Sequence, residues 1–589
     1  MTALAIAAMV GLTLLAGPGQ RAQADDPVRP AAGDCVQDGA VETGAIFNDP
    51  HTSDRDRIHR HIGCLIDGAP VGAKVNIASY HFADDTITTA VTDAIGRGVH
   101  VKIVVDAKVP DNEDDSVHLQ RVQDQIDDTG DDKSAITPCP KSDPEDDKGC
   151  LSNRRMHNKL ITISETHGTP HVTFLTSSNF EDNDGSDGLD NSGLAMWNSG
   201  YTAADDEPLY SWFADSYFQD LLSGETDLSY YDDETPKEAI GNYRVFHSPR
   251  ADGTTALDDA LNKVQCHGNS SGGTRDDHRT IIRVSMWSIS DTDGIGTAIA
   301  KKLWELDNAG CYVDVVADGI GTKKTGYVAL KTLLKKPVPT DGVNYHGPEV
   351  REFYGDLPYG LHEKNLMIDG HFGGAADQKV VFTGSYNFTK SSAGNSIPGS
   401  NEVRVNDETW LQVNDAGVHD RFVENFSKVR NAAHLCWQTS KVEACDGGRS
   451  DGGLDGELNC HETADKYADQ NKVYLYRGTY CDGGNDGNAT KSDSDYGDGA
   501  GEVKDVDNAV DSIVNTTGKH IKFYNYPDYN SGHPEGDTFC LRPGAWVNRI
   551  SRYGDNSGSW SNSTSSHQVV EDPEKECDRW FGGYHEPNR

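Results

Sequence analysis

Up to about residue 438, short apolar runs alternate with amphipathic stretches, and the same series occurs twice. Val75–Phe82 reads as a β-strand, Asp85–Arg97 as a helix, and Val99–Asp106 as a second apolar strand. Ile282–Ile289, Gly294–Asn308 and Cys311–Asp318 repeat that series, and Gly44–Pro50 is echoed ahead of it by Tyr243–Pro249. Strand–helix–strand, twice, predicts two α/β units with parallel strands, because the crossover helix returns the chain to the same end of the sheet.

Two stretches interrupt the repeat. An acidic, Pro-containing segment between Lys108 and Asn153 reads as a functional loop inserted into the first unit. Gly447–Gly456 is rich in Gly and Asp and reads as a linker. Beyond it the pattern changes to short strands and turns, clearest at Val473–Tyr476 and Ile521–Tyr524, which predicts a small all-β domain. A second echo, Asp507–Ser512 with Asp555–Ser559, fits a pair of Greek keys. The expected division is therefore 1–24, 25–242, 243–438, a linker over 439–471, an all-β domain over 472–565 and a tail over 566–589.

Composition narrows the function. The 589 residues carry 94 Asp+Glu against 53 Lys+Arg, a net charge of −41, which repels phosphate backbones and disfavours broad nucleic-acid binding. Apolar residues (35%) suffice for real cores. The apolar run at the N-terminus, followed by Ala22-Gln23-Ala24, reads as a cleaved signal peptide over 1–24, hence a secreted, extracellular protein. A membrane anchor is the alternative, but the run is shorter than the roughly 20 residues needed to span. No later segment is apolar enough to cross a bilayer. Twelve cysteines in an exported chain predict up to six disulfides, and the absence of any CxxC argues against a zinc ribbon. Their pairing stays open, although Cys139 with Cys150 and Cys436 with Cys445 are close enough for local loops.

The chemistry-bearing pattern falls at matching places in the repeat. Met156–Ser164 and Leu361–Asp369 each contain His-x-Lys: His157 with Lys159, and His362 with Lys364. Alternation along a strand puts each His and Lys on one face. Each motif is trailed by Ser-x-Asn, Ser177 with Asn179 and Ser385 with Asn387. These paired motifs, with Asn401-Glu402 beyond the second, resemble the phospholipase D superfamily over about Gly44–Trp437. The resemblance implies a duplicated α/β fold of two mixed sheets flanked by helices. It also implies metal-independent cleavage of phosphodiesters through a phosphohistidine.

By that resemblance one histidine attacks phosphorus and the other protonates the departing alcohol, the family's usual nucleophile being the N-terminal one, here His157. Lys159, Lys364, Asn179 and Asn387 would stabilise charge on the phosphoryl oxygens, with Ser177 and Ser385 in support. Glu402 is the expected acidic partner of a histidine, with Asp190 a substitute in the first half, where Ser192 stands at the corresponding place. Asp369 completes the second motif, whereas the first has Ser164, and Thr176 replaces the glycine at Gly384. Arg154 and Arg155 are candidates for binding the substrate phosphate; a solvated turn is the alternative.

Residues from about Lys472 to Asn562 resemble the βγ-crystallin-like double Greek key, particularly actinobacterial metalloproteinase inhibitors. Phe523–Gly532, Cys540–Gly544 and the two Asp-Asn echoes carry the likeness. It implies calcium at Asp507, Asn508, Asp555 and Asn556, although both copies depart from the family's pattern and such residues also close turns.

The expectation is thus a secreted phospholipase D-type phosphodiesterase that hydrolyses glycerophospholipids at a membrane or micelle surface, yielding phosphatidic acid and a head-group alcohol. Transphosphatidylation would use the same intermediate. No cofactor is expected for catalysis. The alternatives are a phosphodiesterase or nuclease of the same superfamily, or a binding protein with a degenerate catalytic body. Head-group preference and oligomeric state stay open.

Overall fold

The computed structural model describes residues 32–141, 148–181, 196–274, 278–291, 294–321, 327–335, 348–353, 359–393, 404–438 and 443–445, and most of 460–550 and 564–577. Its first half forms a seven-stranded sheet from β1 (Gly44–Phe47), β2 (Lys74–Ser79), β3 (His100–Val105), β4 (Ala135–Pro138), β5 (Lys159–Thr166), β6 (Thr169–Thr176) and β7 (Ser199–Ala203). The spatial order is β1-β7-β6-β5-β2-β3-β4. The second half contributes β8 (Tyr243–Ser248), β9 (Ile281–Ile289), β10 (Tyr312–Ile320), β11 (Glu349–Glu352), β12 (Lys364–Phe372), β13 (Ala375–Gly384) and β14 (Glu408–Val413). Their order, β8-β14-β13-β12-β9-β10-β11, is the same permutation, continued at the β11 edge by His434–Gln438 and Glu443–Cys445. Both sheets are mixed: β2, β3 and β4 run parallel, as do β9, β10 and β11, while β5 and β12 are antiparallel to their neighbours.

Local chemistry explains the helices. In α1 (Arg57–Asp67) and α2 (Asp85–Gly96) apolar residues recur at helical spacing; α2 buries Ile87, Ala90, Val91, Ala94 and Ile95. The Asp84 side chain caps α2 by accepting from the Ile87 amide. The stretch expected to be an inserted loop is instead the second crossover of the repeat. It forms α3 (Glu113–Thr129), capped by Asn112 and ended by Gly130 in the left-handed region, and then β4. Its pattern was hard to read because, among apolar residues, α3 buries only Leu119, Val122 and Ile126 on an otherwise acidic surface. At about 1.5–3 kcal/mol per fully buried large aliphatic side chain, those three suffice to dock it. The second half answers with α4 (Ala256–Leu261), α5 (Ile295–Asn308) and α6 (Val328–Leu333). After β14 comes α7 (Ala416–Ala432), matching the helical run 207–223 after β7.

The halves share a core. Leu160, Leu175 and Tyr201 from the first sheet pack in one cluster with Met367, Val381, Leu411 and Val413 from the second, joined by Phe422 and Phe426 of α7. Two short parallel pairings cross the seam, Met156 with Asp407, and Met196–Trp197 with Gly360–Leu361. They bring the start of each His-x-Lys strand against the opposite half.

The C-terminal region holds two antiparallel sheets. One orders Gly487–Ala489, Val473–Tyr476, Ser512–Asn515 and Trp546–Val547; the other orders Thr538–Leu541, His520–Tyr524 and Ser566–Val570. A single core joins them, with Val473, Leu475, Ile513 and Val547 on one side and Ile521, Phe523, Phe539 and Leu541 on the other. Ser566–Val570, expected in a tail, is thus a sheet strand, and Cys577 is tied back to Cys540. Cys460, expected in the linker, bonds Cys481 and packs with Tyr474 and Trp546.

The other described disulfides are Cys35–Cys64, Cys139–Cys150 and Cys266–Cys311. Cys139–Cys150 closes the expected local loop, and Cys436, also disulfide-bonded, lies opposite Cys445 in a β-ladder. Among the described residues no helix is long and apolar enough to cross a membrane.

Candidate active site

Each His-x-Lys pair enters the first residue of its strand, Lys159 of β5 and Lys364 of β12. Lys159 Nζ donates to the His157 carbonyl (2.8 Å), and Lys364 Nζ makes the same bond to the His362 carbonyl. The histidines are held from across the seam. The His157 amide donates to the Asp407 carbonyl (3.0 Å), and the His362 amide to the Trp197 carbonyl (2.9 Å). Two carboxylates at the ends of the parallel strands brace the approach: Asp106 accepts from the Met156 amide and Asp318 from the Leu361 amide, both at 2.8 Å.

The ring nitrogens have different partners. His157 Nδ1 lies 3.0 Å from Glu408 Oε2, whereas His362 Nδ1 lies 3.3 Å from the amide oxygen of Asn198. A carboxylate and an amide oxygen only accept, so each Nδ1 carries the proton and leaves Nε2 as the reactive atom. Glu408 is fixed in turn by Ser385, by Ser392 (2.7 Å) and by Asn406 (3.0 Å); Asn198 is fixed by Ser177 (2.8 Å). The serines of Ser-x-Asn therefore orient the residue that orients a histidine, each for the opposite half's motif.

Aromatic rings complete the pseudo-symmetry. Tyr80, following β2, packs edge-on to His157 (4.9 Å between centroids) with Lys159 Nζ 4.9 Å from its ring. Trp287 of β9 packs on His362 (5.3 Å) with Lys364 Nζ at 5.6 Å. Asn179 and Asn387 are buried; Asn179 donates to Glu181 (3.0 Å), and Asn387 Oδ1 is buried without a hydrogen bond. Arg155 reaches over Tyr80 (5.7 Å) towards Asp106 (3.8 Å), and Arg404 donates to the Asn153 carbonyl. Arg154, half-buried among them, makes no hydrogen bond or ion pair among the described residues, and burial with the Arg155 charge lowers its pKa.

Burial dominates the electrostatics. It pushes His157 down to about 4, partly offset by Glu408, and Lys159 down to about 7 against the pull of Glu408, Glu181 and Asp106. Burial together with Lys364 and Lys159 takes His362 well below its ordinary value; burial and Lys159 do the same to Lys364. Burial raises the Glu408 carboxyl, but His157, Ser385 and Ser392 more than offset it, and it ends below the usual range. Four groups able to carry positive charge thus lie close together, with Glu408 the carboxylate that acts on His157 and both lysines, an arrangement that an entering anion relieves.

Several sequence expectations change. Glu402, Asp190 and Ser192 lie outside the described residues; the partner of His157 is Glu408, and its counterpart is Asn198. Asp369 is remote from the histidines: five residues along β12 from Lys364 is about 16 Å, and its carboxylate holds the Gly273 amide (2.8 Å). Ser164, the same distance along β5, accepts from the Lys74 amide (2.9 Å), so its departure from Asp does not touch the site. Thr176 fits because its hydroxyl bonds the Ser199 carbonyl (2.8 Å). Gly384 has φ +143, and a Cβ there would lie 2.3 Å from the Thr409 carbonyl oxygen, so that half has no room for a side chain. Tyr80 and Trp287, which no motif marks, have one signal in the sequence: they occupy the same place in Val75–Phe82 and Ile282–Ile289.

For metals, the two described clusters of Cys with His or Asp, at Cys35–Cys64 and Cys139–Cys150, have their sulfurs in disulfides and do not suit one. Asp507 has one carboxylate oxygen buried without a hydrogen bond, while Asn508, at φ +53, donates to the other (3.0 Å). An orphaned buried carboxylate oxygen fits a hard cation. Asp555 and Asn556 lie outside the described residues.

No curated protein sequence matches the chain. A search of solved structures returns polyphosphate kinase from Porphyromonas gingivalis, at 13% identity and TM-score 0.41, covering 66% of this chain and 50% of that one. Phosphatidylserine synthase from Haemophilus influenzae matches at 9% identity and TM-score 0.41, over 73% and 95% of the two chains. A phospholipase D family member, Nuc from Salmonella typhimurium, matches at 18% identity and TM-score 0.22, over 30% and 93%. The chain thus spans about half the length of the polyphosphate kinase. The family model described as the PLD-like domain of cardiolipin synthase matches residues 64–192, a span that includes His157, Lys159 and Asn179, so this stretch of the first half is similar to a PLD-like domain.

Proposed function

We propose that this protein is a secreted, metal-independent phospholipase D-type phosphodiesterase that hydrolyses glycerophospholipids to phosphatidic acid and a free head-group alcohol. The observation that carries this reading is the pair of His-x-Lys motifs meeting at the seam, each histidine held at Nδ1 by a residue of the other half. His157 Nε2 attacks phosphorus, and the protonated His362 gives its proton to the leaving oxygen. The substrate's negative charge restores that proton to a site whose burial otherwise expels it. Lys159 and Lys364, with Asn179 and Asn387, neutralise the phosphoryl oxygens. Water activated by His362 then releases the phosphate from His157; an alcohol in its place gives transphosphatidylation.

The unlike partners support this division of labour. Phosphorylation leaves the ring of the nucleophile positively charged, which the Glu408 carboxylate stabilises. A neutral Asn198 beside His362 leaves that ring the stronger acid. The five described disulfides support export to an oxidising compartment.

Choline release from phosphatidylcholine micelles in EDTA tests the reading. Release that requires both histidines, with ethanol trapped as phosphatidylethanol, is the expected result. A protein that leaves the lipid intact would refute it. Arg154, Arg155 and Arg404 favour a second reading, a phosphodiesterase acting on short nucleic acid; turnover of a short DNA but not of lipid would select that one.

For the C-terminal domain we propose a βγ-crystallin-like double Greek key. The two strand orders support it, as does the bridge of Asp493 to His567, which adds a fourth segment to the three-stranded sheet. Calcium held at Asp507 and Asn508 would stabilise that domain without touching the chemistry. A rise in its melting temperature with calcium, lost in Asp507→Asn, is the expected outcome.

A further inference from the structure

Beneath the Ser177–Asn179 turn lies a serine, a histidine and an aspartate in line. His59 of α1 has Nδ1 2.6 Å from Asp84 Oδ2 and Nε2 3.0 Å from Ser178 Oγ. The spacing is that of a nucleophilic triad, but Ser178, His59 and Asp84 are at most 1% exposed, so no substrate reaches the hydroxyl. The second contact of Nε2 shows what the group does instead: it lies 2.9 Å from the carbonyl oxygen of Asn179.

Proton counting makes that contact informative. A carbonyl oxygen only accepts, so Nε2 must carry a proton to bond it, and the 2.6 Å contact to Asp84 needs a second proton. A neutral imidazole beside a carboxylate satisfies one contact and opposes the other. The pair therefore holds both protons, as an imidazolium–carboxylate or its equivalent with the proton on Asp84, and such charge-assisted bonds are the strong kind. The other Asp84 oxygen caps α2 through the Ile87 amide (2.6 Å). Two helices are thus clamped onto one turn.

The turn leads into the site at both ends. Ser177 donates to Asn198, which accepts from His362 Nδ1, and Asn179 belongs to the proposed phosphate-binding set. Resting on the function proposed above, we infer that His59 and Asp84 are positioning residues that hold the Ser177–Asn179 turn and, through Asn198, the proton-donating His362. The second half does without them: Tyr386 takes the place of Ser178 and stacks on Trp410 (5.4 Å).

Asp84→Asn tests this, because asparagine caps a helix as aspartate does but cannot supply the carboxylate that pairs with a doubly protonated His59. His59→Gln is the second variant, used if the first fails to fold. Two diesters are compared, one releasing an alkanol, which needs an acid, and one releasing p-nitrophenolate, which does not. The expected result is a loss of about tenfold in the first-turnover rate on the alkanol ester and a clearly smaller loss on the p-nitrophenyl ester, where only the Asn179 contact is disturbed. At unchanged melting temperature, hydrogen exchange should rise in peptides covering 174–181. Equal losses on both esters, or unchanged exchange in both folded variants, overturn the inference. Were the wild type to cleave neither ester while exchange rose as expected, the functional reading would fall and the positioning role would stand.

Discussion

The two halves share a strand order and the same Lys-to-carbonyl bond inside each His-x-Lys, yet they hold their histidines by different chemistry. His157 is backed by the Glu408 carboxylate and its three donors, His362 by the amide oxygen of Asn198. The turns behind the site differ likewise, one clamped by a buried polar pair and the other by aromatic stacking. Duplication supplies two equivalent imidazoles, and the environment makes them unequal. On the proposed mechanism, an acid and a nucleophile are drawn from one motif by changing a single partner across the seam.

The sharpest way to break that comparison is to remove each imidazole. His157→Ala should abolish phosphoenzyme formation and lower turnover by about four orders of magnitude. His362→Ala should cost about 10²–10⁴-fold on alkanol esters and much less on p-nitrophenyl esters, measured as the rate of the first turnover, before the phosphohistidine is hydrolysed. An identical substrate dependence for the two variants would sink the assignment of roles. Next in size, Glu408→Gln should lower kcat about a hundredfold while keeping the shape of the site, since it leaves the positively charged phosphohistidine without its counter-charge.

The pH profile sharpens it further. Free His157 titrates at about 4, so kcat/KM should fall as pH drops through that value and the nucleophile is protonated. Lys159 titrates at about 7, so kcat/KM should fall again as pH rises through it and the phosphate loses a cation. Stability falls at the acid end as well, for a shared reason. His61 in the first half and His247 in the second are buried and pushed to about 4 and about 3. The unfolded chain takes up protons below 6.5 that the folded protein refuses, so the melting temperature should drop as pH falls from 6.5 towards 4. Each such histidine contributes of order 3 kcal/mol, at about 1.4 kcal/mol per pKa unit. The smallest expected effect is that of Ser164→Asp, a change in kcat/KM below about twofold, because that end of β5 lies about 16 Å from Lys159.

Much of this was legible in the residues alone. Both His-x-Lys pairs, both Ser-x-Asn runs and the repeated strand–helix–strand series depend on local periodicity and spacing, which a chain displays without folding. Asp106 and Asp318 also closed the two matching strands in the sequence. α3 was misread because three buried aliphatic residues on an acidic helix give too narrow a stripe to announce it. The acidic partner expected from the sequence, Glu402, lies outside the described residues, and the carboxylate that meets His157 Nδ1 is that of Glu408, six residues further along.

That contact marks the boundary between the two kinds of information. The sequence determined that the His-x-Lys and Ser-x-Asn motifs come in two copies at matching places in the repeat. It could not determine which residue faces each Nδ1, since Glu408 lies 251 positions from His157 and Asn198 lies 164 from His362. Those contacts exist only because two sheets bury a common core of Leu160, Leu175, Met367 and Leu411, which draws each motif against the other half. Burial in that seam also lowers the proton affinity of both histidines and both lysines, a property of the packed molecule that the isolated motif does not have.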